Sequence, residues 1–173
     1  MSDLQLQFEW IARLVRLDTT SRNSNLNLIE DVEAYLEEHG VASTRVPNED
    51  STKANLYFSV GPAVEGGVVL SGHTDVVPVD GQPWDTDPWS VVEKEGRLYG
   101  RGTADMKTFS AIGLSLLPDM LAAGLKRPIH FALSYDEEVG LLGAPAMIDE
   151  IRDLVPPPSA VIEGDPTDMQ VVD

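Results

Sequence analysis

Short apolar runs alternate along this chain with segments of helical periodicity, and this alternation limits the folds that the chain can adopt. Leu4, Phe8, Ile11 and Val15 recur at helical spacing, so we expect an amphipathic helix over residues 4–17 that faces a core. The other predicted elements are helices over 26–39, 106–121 and 143–151, strands over 41–46, 55–60, 67–70, 129–133 and 160–162, a loop over 76–89 and a hairpin around 95–96. The runs at 67–70 and 160–162 are continuously apolar, which is typical of buried strands. Strands that alternate with helices predict a layered α/β sheet with helices on both faces.

The size and composition of the chain are those of one globular domain. Its 173 residues are 42% hydrophobic and 24% charged, enough to bury a core without disulfides. No apolar run approaches the roughly 18 residues that cross a bilayer, and the polar, acidic start at Met1 to Asp3 does not resemble a signal peptide. We therefore expect a cytoplasmic protein. Because the chain has no cysteine, any metal must be held by imidazole and carboxylate groups.

The charge balance is strongly acidic. There are 29 acidic and 12 basic residues, which gives a net charge of −17. A field of that sign repels phosphate backbones and anionic lipids, so we expect neither a nucleic acid nor a membrane as partner. A solvated acidic surface explains most of the excess, but several acids stand in apolar contexts where solubility is not the reason for them.

Histidine and carboxylate residues stand just after several predicted strands, and one more carboxylate precedes a predicted helix. They are His73, Asp75, Glu137, Glu138 and Asp165 after strands, and Asp105 before the helix over 106–121. Each one alone has a simpler interpretation, namely a satisfied core histidine, a helix cap or a solvated turn. Ligands of open α/β sheets bind beyond the carboxyl ends of the strands, so the joint occurrence of these residues there predicts a metal site.

The spacing of these residues favours different chemical roles for each of them. His73 and Asp75 are two residues apart and project to the same side of an extended chain, so the carboxylate can bond one imidazole nitrogen while the other binds a metal. Glu137 and Glu138 are adjacent and point differently, so that one can coordinate and the other can act as a base. Asp105 has two oxygens and can bridge two ions roughly 3.5–4 Å apart. This is the pattern of a two-metal hydrolase.

Five local motifs then occur in one order. They are Ser71 to Pro78, Trp84-Asp85, Gly100 to Lys107, Asp136 to Gly140, and Gly164 to Thr167. In this order they resemble the acetylornithine deacetylase / succinyl-diaminopimelate desuccinylase family, which also includes aminoacylases and glutamate carboxypeptidases. The resemblance covers essentially the whole chain. Within that family, the segments 79–84 and 134–138, with 24–26 upstream, look most like acetylornithine deacetylases.

The resemblance implies a fold, a cofactor and a reaction. The fold would be a three-layer αβα catalytic domain of the zinc-peptidase type, with two zinc ions, although cobalt or manganese suits the same ligands. The reaction would be amide hydrolysis of a small N-acyl amino acid, N-acetylornithine above all, as in arginine biosynthesis. The implied roles are His73 and Asp165 on one zinc, Glu138 on the other, Asp105 as the bridge, Glu137 as general base and Asp75 as the residue that orients His73.

The chain also departs from the family pattern. Asp165 stands where the family usually has Glu, and Thr108 stands where a Gly is common. The family completes its second zinc with a histidine near the far C-terminus, and neither His39 nor His130 matches it. The family also inserts a small α/β domain that forms homodimers, which residues 1–173 lack. We therefore expect the N-terminal portion of the catalytic domain; the alternatives are a non-catalytic fragment that needs a complementing chain, or a desuccinylase, aminoacylase or carboxypeptidase.

Overall fold

A five-stranded mixed sheet with flanking helices forms the centre of the molecule. The structure is a computed structural model, and it describes residues 3–167. The helices are α1 (Asp3–Val15), α2 (Leu26–Glu38), α3 (Lys107–Ser115), α4 (Leu117–Ala122) and α5 (Ala144–Ile151). The strands are β1 (Ser43–Pro47), β2 (Ala54–Val60), β3 (Val68–His73), β4 (Val92–Lys94), β5 (Arg97–Tyr99), β6 (Ile129–Ser134) and β7 (Ala160–Glu163). Among the described residues, no helix is both long and apolar enough to cross a membrane.

The strand order places three carboxyl ends at one edge of the sheet. The order is β1-β2-β6-β3-β7, with β1 and β2 antiparallel to their neighbours. Strands β6, β3 and β7 run parallel, and His73 at the end of β3 lies opposite Ser134 at the end of β6. The segments that follow these three strands therefore start side by side, as the sequence predicts for a binding site.

Helices cover the two faces of the sheet and form the three layers that the resemblance implies. On one face, α1, α2, α3 and α4 pack against inward side chains of β2 and β6, among which Phe58 and Phe131 stack with ring centroids 4.5 Å apart. Each such fully buried side chain stabilises the fold by about 1.5–3 kcal/mol. On the other face, Met147 of α5 packs against Tyr57 and Ala132. The predicted α/β class is confirmed.

Two predicted local elements also form. The loop over 76–89 contains no regular helix or strand beyond an isolated bridge between Thr20 and Val76. Strands β4 and β5 pair as a hairpin whose turn residues, Glu95 and Gly96, have φ of 55° and 73°. Positive φ at both central residues matches the twist of the flanking strands.

The single helix predicted over 106–121 is instead two helices, which meet at Leu116. Pro118 in the first turn of α4 has no N–H, so it cannot bond the carbonyl of Leu114 four residues earlier. The hydroxyl of Tyr35 donates to that carbonyl at 3.3 Å instead. A side chain from another helix thus compensates for the missing helical hydrogen bond.

The burial predicted from the sequence is wrong for two strands and for part of one helix. All four residues of β7 are exposed and those of β3 before Gly72 are only half-buried, because β7 lies at the edge of the sheet and α5 is short. In α1, Ile11 and Val15 are buried as predicted, but Leu4 and Phe8 of the same predicted face are exposed. Trp10 and Leu14, which the predicted face did not include, are buried as well.

Candidate metal centre

His73 is the residue around which the candidate site is arranged. It is the last residue of β3, it is 2% exposed, and its main-chain N–H points at the sulfur of Met106 at 3.3 Å. Its Nδ1 lies 2.9 Å from the main-chain carbonyl of Asp75, which can only accept, so Nδ1 carries the proton of the neutral ring. The lone pair of Nε2 is therefore directed at the carboxylates beyond the strand ends.

Two carboxylates converge on Nε2 of His73 and form with it a group of three side chains. An oxygen of Asp105 lies 3.0 Å away and an oxygen of Asp165 lies 3.7 Å away. One atom from each of the three residues lies within 4.8 Å of the others. An imidazole with two carboxylates is a donor set that zinc, cobalt or manganese accepts, so the residues present fit a divalent metal ion.

Glu137 lies beside this cluster but outside it. Its carboxylate oxygen is 3.8 Å from Nε2 of His73. Burial and the negative charge of Asp165 raise the pKa of Glu137, although the charge of His73 opposes them. A carboxyl group with a raised pKa next to a metal position has the properties of a general base.

Glu138 has a different relation to the cluster. Its main-chain N–H donates to the carboxylate of Asp75 at 3.3 Å, and its own carboxylate is not among the three converging groups. Burial and the charge of Asp105 raise the pKa of Glu138. The Asp105 carboxylate therefore acts on Glu138 electrostatically, and the ligand role of Glu138 stays a prediction.

Asp75 does more than the sequence predicts. Its carboxylate lies 3.5 Å from Nδ1 of His73, further than its main-chain carbonyl. The carboxylate accepts hydrogen bonds from the hydroxyl of Ser21 at 2.7 Å and from the N–H of Glu137 at 3.1 Å, besides that of Glu138. Burial raises the pKa of Asp75, but the nearby imidazole of His73 and the hydrogen bonds from Ser21 and Glu137 outweigh it and lower the pKa. Asp75 thus fixes the Glu pair as well as the imidazole.

The electric field of the site favours a positive charge on His73. Burial lowers the pKa of His73, but Asp75 and Asp105 outweigh burial and raise the pKa to about 9. The carboxylates that hold a proton at this ring also attract a metal cation, so protons and metal compete for one position.

Sequence reasoning missed the polar segment that supports His73 and Asp75. The hydroxyl of Thr19 donates to the carbonyl of Thr74 at 2.5 Å. The amide of Asn25 donates to the hydroxyl of Thr74 at 2.9 Å and to the carbonyl of Ala54 at 2.8 Å. The run of hydroxyl residues after α1 is the sequence signal for this support, because hydroxyl side chains form hydrogen bonds with the backbone of neighbouring segments.

A second missed residue is Lys107, the first residue of α3. It is 1% exposed, and its ammonium donates to the carbonyls of Leu14 at 3.1 Å and Leu17 at 2.7 Å. Burial lowers the pKa of Lys107 to about 7. The bonds tie the last turn of α1 to the segment that carries Asp105.

The other two histidines lie elsewhere. Nδ1 of His39 is bonded to the carbonyl of Tyr35 at the end of α2. Nδ1 of His130 lies 2.6 Å from the hydroxyl of Tyr57 and 2.7 Å from that of Ser59, on β2. Neither ring belongs to the converging group among the described residues.

The class of protein follows from comparison with known families. The family described as Peptidase family M20/M25/M40 matches residues 69–172, more than half of the chain, and the chain belongs to this family. Membership implies a divalent metal ion, and His73, Asp105 and Asp165 supply a donor set for one.

Curated relatives are similar over most of the chain. The acetylornithine deacetylase of Pasteurella multocida (strain Pm70) is 36% identical over 157 residues, which are 90% of this chain and 40% of that protein. The acetylornithine deacetylase of Shigella sonnei (strain Ss046) is 41% identical over 122 residues, which are 69% of this chain and 30% of that protein. The chain thus spans at most about 40% of the length of these relatives.

Solved structures share the fold at low sequence identity. Human carnosine dipeptidase 1 superposes with a TM-score of 0.72 at 22% identity, over 87% of this chain and 36% of that one. The M20 family metallo-carboxypeptidase from Sulfolobus solfataricus also gives 0.72, at 20% identity, over 91% of this chain and 37% of that one. These likenesses establish the α/β architecture.

Proposed function

We propose that residues 1–173 are the N-terminal portion of the catalytic domain of a metal-dependent amide hydrolase that removes the acyl group from an N-acyl amino acid. The observation that carries the proposal is the convergence of Asp105 and Asp165 on Nε2 of His73, with Glu137 at 3.8 Å. These residues come from segments far apart in sequence and meet where α/β sheets bind their ligands. The match to Peptidase family M20/M25/M40 supports the same conclusion.

The proposed roles follow the donor chemistry. His73 and Asp165 would hold one metal ion, Glu138 would hold a second, and Asp105 would be shared between the two. Zinc is the proposed metal, since imidazole and carboxylate ligands suit it, and cobalt or manganese fits the same donors.

The residues of the chain then share the work of hydrolysis. A bound divalent cation supplies Lewis acidity towards the acyl carbonyl and towards the attacking water. Glu137 takes a proton from that water and passes it to the leaving amine, a role that its raised pKa favours. Asp75 keeps the imidazole of His73 in the correct tautomer through its main-chain carbonyl, and its carboxylate holds the main chain of Glu137 in place.

N-acetylornithine is the proposed substrate. The support is the name of the curated relatives, which are acetylornithine deacetylases at 36–41% identity. Succinyl-diaminopimelate, other N-acyl amino acids and dipeptides are the competing substrates. Hydrolysis rates on all four classes rank them directly.

Two substitutions test the proposed metal ligand and the proposed general base separately. The test uses a polypeptide that joins this chain to the C-terminal part of a full-length relative such as the Pasteurella multocida enzyme. Glu137→Ala is expected to abolish turnover and to leave zinc bound, whereas His73→Ala is expected to lose zinc. A near-normal rate in Glu137→Ala would contradict the assignment of the base.

The second candidate function is a non-catalytic piece that associates with a complementing chain. The observation that favours it is β7, where Val161 is 60% and Ile162 is 50% exposed on an edge strand. An exposed apolar edge is a pairing surface. For the isolated chain we predict weak zinc binding, or binding of one ion, with little turnover. Metal analysis and a deacetylation assay decide between the candidates: two zinc ions per chain with robust turnover would eliminate the second one.

A further inference from the structure

A partly buried lysine outside the proposed metal centre connects two of the segments that build it. Lys53 immediately precedes β2, and its ammonium donates to the carboxylate of Asp136 at 2.5 Å and to the main-chain carbonyl of Ser21. The side chains of Lys53 and Asp136 are only 15% and 12% exposed. One cation thus joins the segment after α1 to the segment after β6.

Each partner of Lys53 leads directly to the site. Ser21, whose carbonyl accepts from Lys53, donates its own hydroxyl to the carboxylate of Asp75 at 2.7 Å. Asp136 is the residue before Glu137, whose N–H donates to the same carboxylate at 3.1 Å. Lys53, Ser21, Asp75, Glu137 and Asp136 therefore form a closed ring of contacts.

The backbone conformation at Asp136 explains why its contact with Lys53 matters for the site. Asp136 has a φ of 57°, a left-handed conformation that, glycine apart, Asp and Asn adopt more readily than other residues. The turn at Asp136 sets the direction in which the chain leaves β6 and hence the position of Glu137. Its carboxylate is bound by Lys53, and its carbonyl accepts from the N–H of Leu142 at 3.1 Å.

Stability alone is a weak reason for this ion pair. The free energy needed to remove both charges from water offsets most of the attraction between them. Buried ion pairs are therefore often no more stabilising than apolar residues of the same volume. A lysine that also bonds a main-chain carbonyl fixes geometry, which is the property that a metal site needs from its surroundings.

We propose that Lys53 is a positioning residue of the metal centre, acting through Ser21 on Asp75 and through Asp136 on Glu137. This inference rests on the proposed function, because it assumes that the residues around His73 hold a metal. The ammonium of Lys53 bonds Ser21 and Asp136 and none of the three converging residues His73, Asp105 and Asp165. It holds Asp75 and Glu137 in position relative to each other, and through them the imidazole of His73.

Cobalt binding to the 173-residue chain tests the role of Lys53. Co²⁺ is the probe, because its visible absorption reports ligand geometry and its titration gives the affinity. Lys53→Met is expected to weaken Co²⁺ binding about tenfold, the lower end of what loss of an outer-shell partner costs, and to alter the absorption band. Lys53→Arg keeps the charge and the donors and is expected to stay within about threefold of the parent chain. The matched control is Lys126→Met, at an exposed lysine, which should leave both readouts unchanged.

A double variant separates positioning from simple charge burial. Lys53→Met leaves Asp136 buried without its partner, which can unfold the chain. Lys53→Met/Asp136→Asn removes that charge and keeps a residue that tolerates left-handed backbone. If Lys53 positions the site, the double variant still binds Co²⁺ about tenfold more weakly with an altered band.

Three results would overturn the inference. Parental affinity and absorption in the double variant would mean that Lys53 merely compensates for the charge of Asp136. Parental binding in all variants would remove the positioning role and leave the metal site intact. If the parent chain itself bound no Co²⁺, the proposed function would fail at its first step, and the inference would fall with it.

Discussion

The two faces of the sheet differ in how completely helices cover them. On the face packed against α1, α2, α3 and α4, Leu56, Phe58 and Leu133 are 0–2% exposed. On the face of α5, Met147 is 4% exposed, but Ile148 beside it is 56% exposed and Val161 on β7 is 60% exposed. One face is a closed apolar core and the other is only partly covered.

The residues of the proposed metal centre come both from the central strands and from the edge strand of the sheet. His73 ends the central strand β3 and Glu137 follows the central strand β6, and the buried carboxylate of Asp75 supports both. Asp165 follows the edge strand β7, and its side chain is 44% exposed. A metal site is only as well ordered as the elements that carry its ligands. We therefore expect one firmly held part of the site and one weakly held part.

The largest expected effect contrasts the two faces directly. Leu133→Ala removes a side chain from the closed core and leaves a cavity, so we expect a loss of about 2–5 kcal/mol in the free energy of unfolding. Ile162→Ala on β7 removes a half-exposed side chain, and we expect a change within about 0.5 kcal/mol. Urea denaturation followed by circular dichroism measures both. Equal losses would show that the two faces contribute equally to the free energy of unfolding, which would contradict the difference described above.

The next effect contrasts the two parts of the site. His73→Ala is expected to weaken zinc binding by at least about 100-fold, since an entire buried ligand is lost, and Asp165→Ala by only about tenfold. Competition with a chromophoric chelator gives the affinities. Asp153→Ala, at a side chain that is 84% exposed, is the matched carboxylate control. A larger loss for Asp165→Ala than for His73→Ala would reverse the assignment of the firm and weak parts.

The last effect, about tenfold for each pH unit, is that of pH on zinc affinity. In the metal-free chain the pKa of His73 is raised to about 9, so below that pH a proton must leave the ring before metal binds. Zinc affinity should therefore rise by about tenfold per pH unit from pH 6.5 to 8.5 and level off above about pH 9. Asp165→Ala should keep this slope, because the carboxylates of Asp75 and Asp105 hold the proton. Isothermal titration at several pH values measures it, and an affinity independent of pH over this range contradicts the raised pKa.

Much of the fold could be predicted because local pattern and tertiary packing agree in it. The alternating run 55–60 and the apolar run 129–133 fall within β2 and β6, and the Gly96 hairpin forms as predicted. Predictions of burial failed where tertiary context decides. Val161 and Ile162 have the composition of a buried strand, yet burial depends on which elements lie alongside, and sequence pattern does not contain that information.

The chemistry of the site was easier to predict than its supports. His73 and Asp165 stand out because a histidine and a carboxylate after strands often bind ligands, and Asp105 stands out because it lies just before a helix. Ser21 and Lys53 are common residues in loops, and their roles depend on contacts with Asp75 and Asp136, far away in sequence. Periodicity cannot report such contacts. The orientation of His73 by a main-chain carbonyl escaped prediction for the same reason, since every residue has that group.

We propose that His73, Asp105 and Asp165 together hold a divalent metal ion. Crystals of the 173-residue chain grown with zinc, with diffraction data collected on both sides of the zinc absorption edge, show whether they do. We expect an anomalous peak between Nε2 of His73 and the carboxylates of Asp105 and Asp165, with Glu137 beside it. A peak at another cluster of carboxylates, or none at His73 under saturating zinc, would contradict it.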